Sequence, residues 1–451
     1  MQTNTTFEQT ILDQQRTFFL TDQTKTYAFR VQQLKTLRKA ILTFQKEILE
    51  ALMLDLHKGE FEAYTTEVGF NLRSIRDTLK KLKKWMKPKK VKGELFLPFT
   101  SSRIMLEPKG QVFIIGPFNY PFQLVIEPLI GAMAAGNTVI LKPSEFTPHV
   151  SRIIKKMIEA FFPSHYLAVV EGDASVTQAL LALRFDHIFF TGSTRVGQIV
   201  YEAASKHLTP VTLELGGKSP TIIDETANLK VAAERIAFAK FTNAGQTCIA
   251  PDYVYVHASV KDAFLNAFNT VIQKRYADPK TFGHIVSDRH VERLKELVGT
   301  KEVTVEKKYF PPTIIDNASW QDPVMQEEIF GPILPILTFE SLEDVIATLK
   351  TKEKPLALYF FSENKTAQKR VWQALSFGNG AINDALMQVA SSHLPFGGVG
   401  QSGFGAYHGY ASFVTFSHQK SFIHKSTKVD IPVAYPPYSK AQLNIIKQLI
   451  K

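Results

Sequence analysis

Cys248 is the one cysteine among 451 residues, so any sulfur chemistry in this chain rests on it. It sits in NAGQTC, just after a helical run and before the apolar segment DYVYVH, in a loop of small residues that can present a side chain to a cleft. A free cysteine is more often a buried, inert packing residue, so its partners have to decide between the two readings. Glu214, in LELGGKSP, ends an apolar strand, the place where ligands and catalytic groups collect in open α/β sheets. A partly buried carboxyl there has its pKa raised toward neutrality and becomes a base for water or a thiol; the competing reading is an exposed charge at a strand end. Asn119, in GPFNYP, lies in a turn and carries an amide with two N–H donors. It is either plain turn chemistry or an oxyanion donor, where one hydrogen bond is worth roughly 3 to 4 kcal/mol of barrier.

A second set suits a nucleotide. Lys142 and Glu145, in LKPSEF, put a cation and a carboxylate at the end of one strand, matched to ribose or phosphate oxygens and to ribose hydroxyls. IFFTGSTRVG gives a strand, a turn at Gly192 and a helix that Ser193 can cap, with Gly197 one turn inside and the first backbone amides free for phosphate. Two glycine patterns mislead. Gly398, Gly400 and Gly403 match GxGxxG, but SSHLPF precedes them in place of a buried strand, and no Asp or Glu lies between Gly403 and Asp430. They read as a glycine-rich loop. Gly217, Lys218 and Ser219 imitate the end of a P-loop, yet Thr212 stands where its first glycine is required, and no GxSxG elbow occurs.

The elements that position these residues follow from hydropathy. To about residue 85 apolar residues recur every three or four positions, as in RVQQLKTLRKAILTFQKEILEALMLDL, which predicts a helical leader. KKLKKWMKPKKVKG then marks a boundary, and GELFLPFTSSRIMLEP alternates like a hairpin arm. From Gln111 to about Leu215 the runs QVFIIG, TVILKP, YLAVVEG, HIFFTGS and VTLELGG alternate with helical segments; strands apolar at nearly every position must be covered on both faces, which predicts a doubly wound parallel sheet. After Thr221 a second α/β unit runs to about residue 420, and AQLNIIKQLIK ends the chain as a short amphipathic segment that packs on a neighbour in preference to a membrane.

Composition sets the limits. A chain this long exceeds one ordinary domain, and 45% hydrophobic with 21% charged residues is globular rather than disordered. The net charge of +11 attracts anions without choosing among them. The lysines around Trp85 read as a solvated helix end rather than a nucleic-acid surface, since no nucleic-acid motif accompanies them. One cysteine excludes an internal disulfide, and the 12 histidines show no ligand spacing, so no metal is expected. MQTNTTFEQT has no basic-then-apolar signal, and no apolar run is long enough to span a bilayer, so a soluble, cytoplasmic protein is expected.

Taken in order, GPFNYPF, LKPSE, FTGSTRVG, LELGGKSP, NAGQTCIAPDYV, EEIFGPILP and LPFGGVGQSGFG resemble the aldehyde dehydrogenase superfamily, and the YPPYSK tail with the tyrosine after Asn119 is most similar to its class 3 branch of fatty and aromatic aldehyde dehydrogenases. The resemblance implies a Cys248 nucleophile, a Glu214 general base and an Asn119 oxyanion donor beside the Cys248 amide. It implies that Lys142 and Glu145 hold the adenosine ribose, Gly192, Ser193 and Gly197 the pyrophosphate region, and Glu328 and Phe330 the nicotinamide; Glu327 is one residue out of register. NAD is the expected cofactor with some NADP use, because Glu145 repels the extra phosphate. Also implied are a Rossmann-like cofactor domain (1–84 and 106–211), a catalytic domain (212–421), a bridging element (85–105 and 422–451) and a homodimer. Tyr64 and Tyr120 are candidates for the substrate wall. The rivals are an acylating enzyme that passes its thioester to coenzyme A, against which Glu214 argues, and a binding protein on a retired scaffold, against which the intact residue set argues.

Overall fold

The computed structural model describes residues 7–94, 97, 99–299, 303–430 and 435–450. Strands β1 (Lys89–Val91) and β2 (Thr100–Pro108) run antiparallel. Five short segments, buried at every position but Val211, follow as a parallel sheet: β3 (Gln111–Ile115), β4 (Thr138–Lys142), β5 (Leu167–Val169), β6 (His187–Thr191) and β7 (Val211–Glu214). A second parallel sheet holds β8 (Pro220–Ile223), β9 (Tyr253–His257), β10 (Thr313–Ile315), β11 (Ile333–Phe339), β12 (Ala357–Phe361) and β13 (Asn379–Ile382). Finally β14 (Gly403–Phe404) and β15 (Ser417–Lys425) return to the first sheet and to β2.

The first sheet has the order β14-β7-β6-β3-β4-β5. The chain leaves β3 in one direction and returns to β6 on its other side, so the topological switch point lies between β3 and β6. Strict alternation divides its side chains between two cores. Val112, Ile114, Val139, Leu141 and Phe189 face a large core shared with the N-terminal helices. Phe113, Ile115, Ile140, Ile188, Phe190 and Leu213 face a second one, closed by Ile11 and Leu12 of the helix Phe7–Phe19. This two-sided covering is the doubly wound α/β arrangement expected from the apolar runs.

Several local expectations shift. The helical leader is broken at Phe44, which separates the helices Tyr27–Thr43 and Gln45–Leu56. Trp85, at the end of the helix Gly69–Trp85, packs on the rings of Tyr410 and Phe413 while Lys83, Lys84, Lys87, Lys89 and Lys90 stay exposed. A tryptophan committed to the core is not available to stack on bases, so the solvated helix end is the better description. Strand β15 starts at Ser417, five residues before the boundary expected at 422, because its register with β2 runs without a break to Pro108. The glycine-rich loop around Gly400 is a loop except for its last two residues, which form β14 against Glu214 and Leu213. Among the described residues no helix is long and apolar enough to cross a membrane.

Candidate active site

The C-terminal ends of β3, β4, β6 and β7 open on one edge, and the five residues Leu215–Ser219 cross from it to the start of β8. The carboxyl edge of the first sheet therefore meets the amino edge of the second. Cys248 belongs to that amino edge, in the loop entering β9, and it is half-buried. Just before it Asn243, Ala244 and Gly245 have φ of 54, 51 and 76°. Three successive left-handed residues, one of them alanine, are a strained turn of the kind that persists when surrounding contacts over-determine it.

Those contacts are side-chain hydrogen bonds. The Asn119 side-chain amide donates to the Gln246 carbonyl at 2.9 Å, the Asn243 amide donates to the Asn119 and Gln246 carbonyls at 2.8 and 3.1 Å, and the Asn243 backbone N–H reaches Glu62 at 2.8 Å. The Gln246 side chain accepts from the Val286 N–H and donates to the His284 carbonyl, both at 3.0 Å. Tyr120 OH and Thr247 Oγ1 lie 2.8 Å apart. Asn119 thus points at the nucleophile loop, with one N–H used to hold that loop and the other uncommitted among the described residues.

Glu214 ends β7 at 2% exposure, and among the described residues neither of its carboxyl oxygens has a hydrogen-bond partner. Burial drives its pKa well above the usual carboxylate range. Glu328 reaches over the linker, where a Cβ on Gly216 would lie 2.0 Å from its Oε2, so any larger residue there would displace its carboxylate. Burial, and then Asp252, push the Glu328 carboxyl up to about 8. Both glutamates lie within electrostatic reach of Cys248. Burial, and then these two carboxyls, raise its thiol pKa far above the ordinary value, so the surroundings favour the protonated thiol. Alkylation of Cys248 by iodoacetamide is therefore expected to have a pH midpoint above the ~8.5 of a free thiol, and Glu328→Gln is expected to lower it. With a single cysteine the labelling is unambiguous. A wild-type midpoint at or below that of free cysteine contradicts this account.

The nucleotide set falls where the topology puts it. Lys142 is 2% exposed at the end of β4, and its ammonium holds Glu145 and the Pro143 carbonyl, each at 3.0 Å. Ser193 caps the helix Thr194–Ser205 by accepting from the Val196 N–H at 3.4 Å. Phe330, at φ 51°, sets its ring edge-on to Phe118, 5.7 Å away. Two glycines take other parts. The Gly192 N–H is spent on the Glu214 carbonyl, and Gly197 donates to Ser193 and lies where a Cβ would be 2.7 Å from Leu215. Gly197 thus leaves room for Leu215 where the helix packs on the linker. Glu327 turns outward to Arg293 at 2.8 Å, and Lys218 pairs with Asp252 and binds the Val324 and Glu327 carbonyls, far from any P-loop role.

Of the two candidate wall residues, Tyr120 is buried with its ring 4.0 Å from the Lys58 ammonium, whereas Tyr64 is 40% exposed on an irregular helical turn. Sequence reasoning did not anticipate a ring cluster in which His408 contacts Phe70, Phe396 and Tyr407 at 5.6, 5.2 and 4.3 Å. It also missed Lys58, Glu62 and Glu67. Asn243 and Gln246 were visible in NAGQTC, where two amides in a loop of small residues signal a self-bonding turn. Among the described residues no group of three His, Cys, Asp or Glu side chains is placed to hold a metal ion.

Comparison with known proteins meets this geometry directly. The model of the aldehyde dehydrogenase family matches residues 9–422. The chain belongs to the aldehyde dehydrogenase family. It is 52% identical to the 4,4'-diaponeurosporen-aldehyde dehydrogenase of Staphylococcus aureus, over 97% of both chains. It is 43% identical to a dimeric, NADP-preferring aldehyde dehydrogenase of Rattus norvegicus, over 91% of this chain and 93% of that one. Family 3 members also match at about two-fifths identity, which places this aldehyde dehydrogenase in the class 3-like branch. A solved structure of Staphylococcus aureus AldH in its substrate-bound state superposes with a TM-score of 0.96 at 51% identity, covering 99% of this chain and 100% of that one. The family uses NAD(P), and the chain is an enzyme that oxidises an aldehyde.

Proposed function

We propose that this enzyme converts a medium- or long-chain aliphatic or aromatic aldehyde to the free carboxylic acid, with Cys248 as nucleophile, Glu214 as general base and Asn119 as oxyanion donor. The observation that carries the reading is Glu214: a buried carboxyl without hydrogen-bond partners, at a strand end beside the only thiol. An enzyme that hands its acyl group to coenzyme A has no use for such a base. The residues present fit a dinucleotide, since the Lys142–Glu145 pair and the capped helix start at Ser193 flank the switch point, with Glu328 and Phe330 across the linker. Bound there, NAD(P) supplies the hydride acceptor.

The chain's own groups do the rest. Cys248 gives up its thiol proton to water as its sulfur bonds to the carbonyl carbon, and the free Asn119 N–H with the Cys248 backbone N–H stabilises the resulting oxyanion. After oxidation Cys248 carries the acyl group as a thioester. Glu214 then takes a proton from water, which attacks the thioester and returns the thiol.

We infer the same three units as the sequence suggested, centred on the three sheets, with the cofactor–catalytic seam at 215–219. The exposed Phe422 and Ile423 on β15, and the exposed Ile382 on the edge strand β13, support a homodimer built through the bridging sheet. The test is formation of reduced nicotinamide from aliphatic and aromatic aldehydes without coenzyme A. Free acid is the expected product; an absolute requirement for coenzyme A overturns the reading. NAD is expected to outperform NADP, and Glu145→Ala to narrow that ratio by about tenfold, because a carboxylate no longer faces the extra phosphate. An unchanged ratio removes Glu145 from cofactor choice.

A further inference from the structure

Lys58 and Glu67 form an ion pair in which neither side chain has any solvent exposure. Such a pair is weak evidence for stability, because desolvation of both charges offsets most of their attraction. Its contacts are better explained by the site. The Lys58 ammonium donates to the Asn119 backbone carbonyl at 2.9 Å and lies over the Tyr120 ring. Glu67 accepts from the Phe122 and Gln123 N–H groups at 3.0 and 2.8 Å, which ties it to the first turn of the helix Gln123–Ala135. One end of the pair thus grips the turn that carries Asn119, and the other grips the helix start that follows it. Neither residue touches Cys248, so neither is catalytic.

We propose that Lys58 and Glu67 are positioning residues that set the Asn119 amide against the nucleophile loop. The turn Pro117–Tyr120 lies outside strand and helix, and its Tyr120 carbonyl accepts from the Leu124 N–H at 2.9 Å. It is held from the loop side by Asn243 and Gln246 and from the opposite side by Lys58. Removing Lys58 leaves the Asn119 carbonyl with Asn243 alone and Glu67 as a buried, uncompensated charge. The inference rests on Asn119 as oxyanion donor, so its test separates the two.

The measurement is the pre-steady-state release of nitrophenolate from p-nitrophenyl acetate, in which Cys248 Sγ bonds to the acetyl carbon and nitrophenolate leaves. It needs an oxyanion donor but neither NAD(P) nor a particular aldehyde. Asn119→Ala, Lys58→Met and the double variant Lys58→Met/Glu67→Leu are compared, the last keeping the site apolar and filled. Expected is a loss of about 10- to 100-fold in burst rate for Lys58→Met and for the double Lys58/Glu67 variant, with the thermal midpoint of the latter near wild type. In the Asn119→Ala background, Lys58→Met is expected to cost no more than about twofold further, since the group it positions is gone. Full burst rate in the Lys58/Glu67 double variant, or an equal loss in both backgrounds, overturns the proposal. An Asn119→Ala enzyme with an unaltered burst instead overturns Asn119 as the oxyanion donor.

Discussion

Cys248→Ser is expected to yield a folded chain that still binds reduced nicotinamide and forms no acid, a loss on the order of 10⁴-fold or more in kcat. The size follows from the chemistry. A serine hydroxyl in this position has a far higher pKa than a thiol, and the site is already hostile to negative charge, since burial, Glu328 and Glu214 all raise the pKa of residue 248. The geometric change is small, because the loop is held by Asn119, Asn243 and Gln246 and not by the sulfur. Thermal unfolding and nicotinamide fluorescence should therefore match wild type while turnover disappears. Turnover within about tenfold of wild type would show that the thiol is not the nucleophile.

Glu214→Gln is expected to lower steady-state turnover by about 10²- to 10⁴-fold while sparing the first turnover. Glutamine has the shape of the protonated acid but cannot accept a proton, so the thioester forms and then waits. Mass spectrometry of the quenched variant should find the acyl group on the peptide containing Cys248, and a burst of reduced nicotinamide near one per site should precede the slow phase. The pH profile carries the sign. A carboxyl whose pKa is raised by burial is a base only above that raised value, so wild-type deacylation climbs as pH increases through it, and Glu214→Gln flattens the climb. A burst lost together with turnover would move Glu214 from water activation to thiol activation.

The sequence made the first sheet legible because QVFIIG, TVILKP and HIFFTGS are apolar on both faces, which only a covered parallel strand explains. Strand-end position then singled out Lys142, Glu145, Ser193 and Glu214, since their neighbours in sequence define the strand ends. What escaped was the support. Lys58 lies in a short loop and Glu67 on an irregular helical turn, both more than fifty residues before Asn119, and nothing in their spacing announces a pair that meets only in the folded chain. The raised thiol pKa of Cys248 was also invisible, because it depends on Glu328, eighty residues downstream, folding back over Gly216. The packing of Gly197 was hidden for a related reason: a glycine one turn into a helix does not announce that Leu215 lies against it.

The short linker Leu215–Ser219 looks like a natural crossover point for recombining two homologous parents, since it lies between the sheets. The site is not modular at that cut. Asn119 with Gln246, Asn243 with Asn119, Asn243 with Glu62 and Tyr120 with Thr247 each join a residue before the linker to one after it. Hybrids spliced there inherit a working nucleophile loop only when both parents agree at all of these positions. Cofactor preference can therefore be transplanted with the first half of the chain only as far as the two halves have been kept in step.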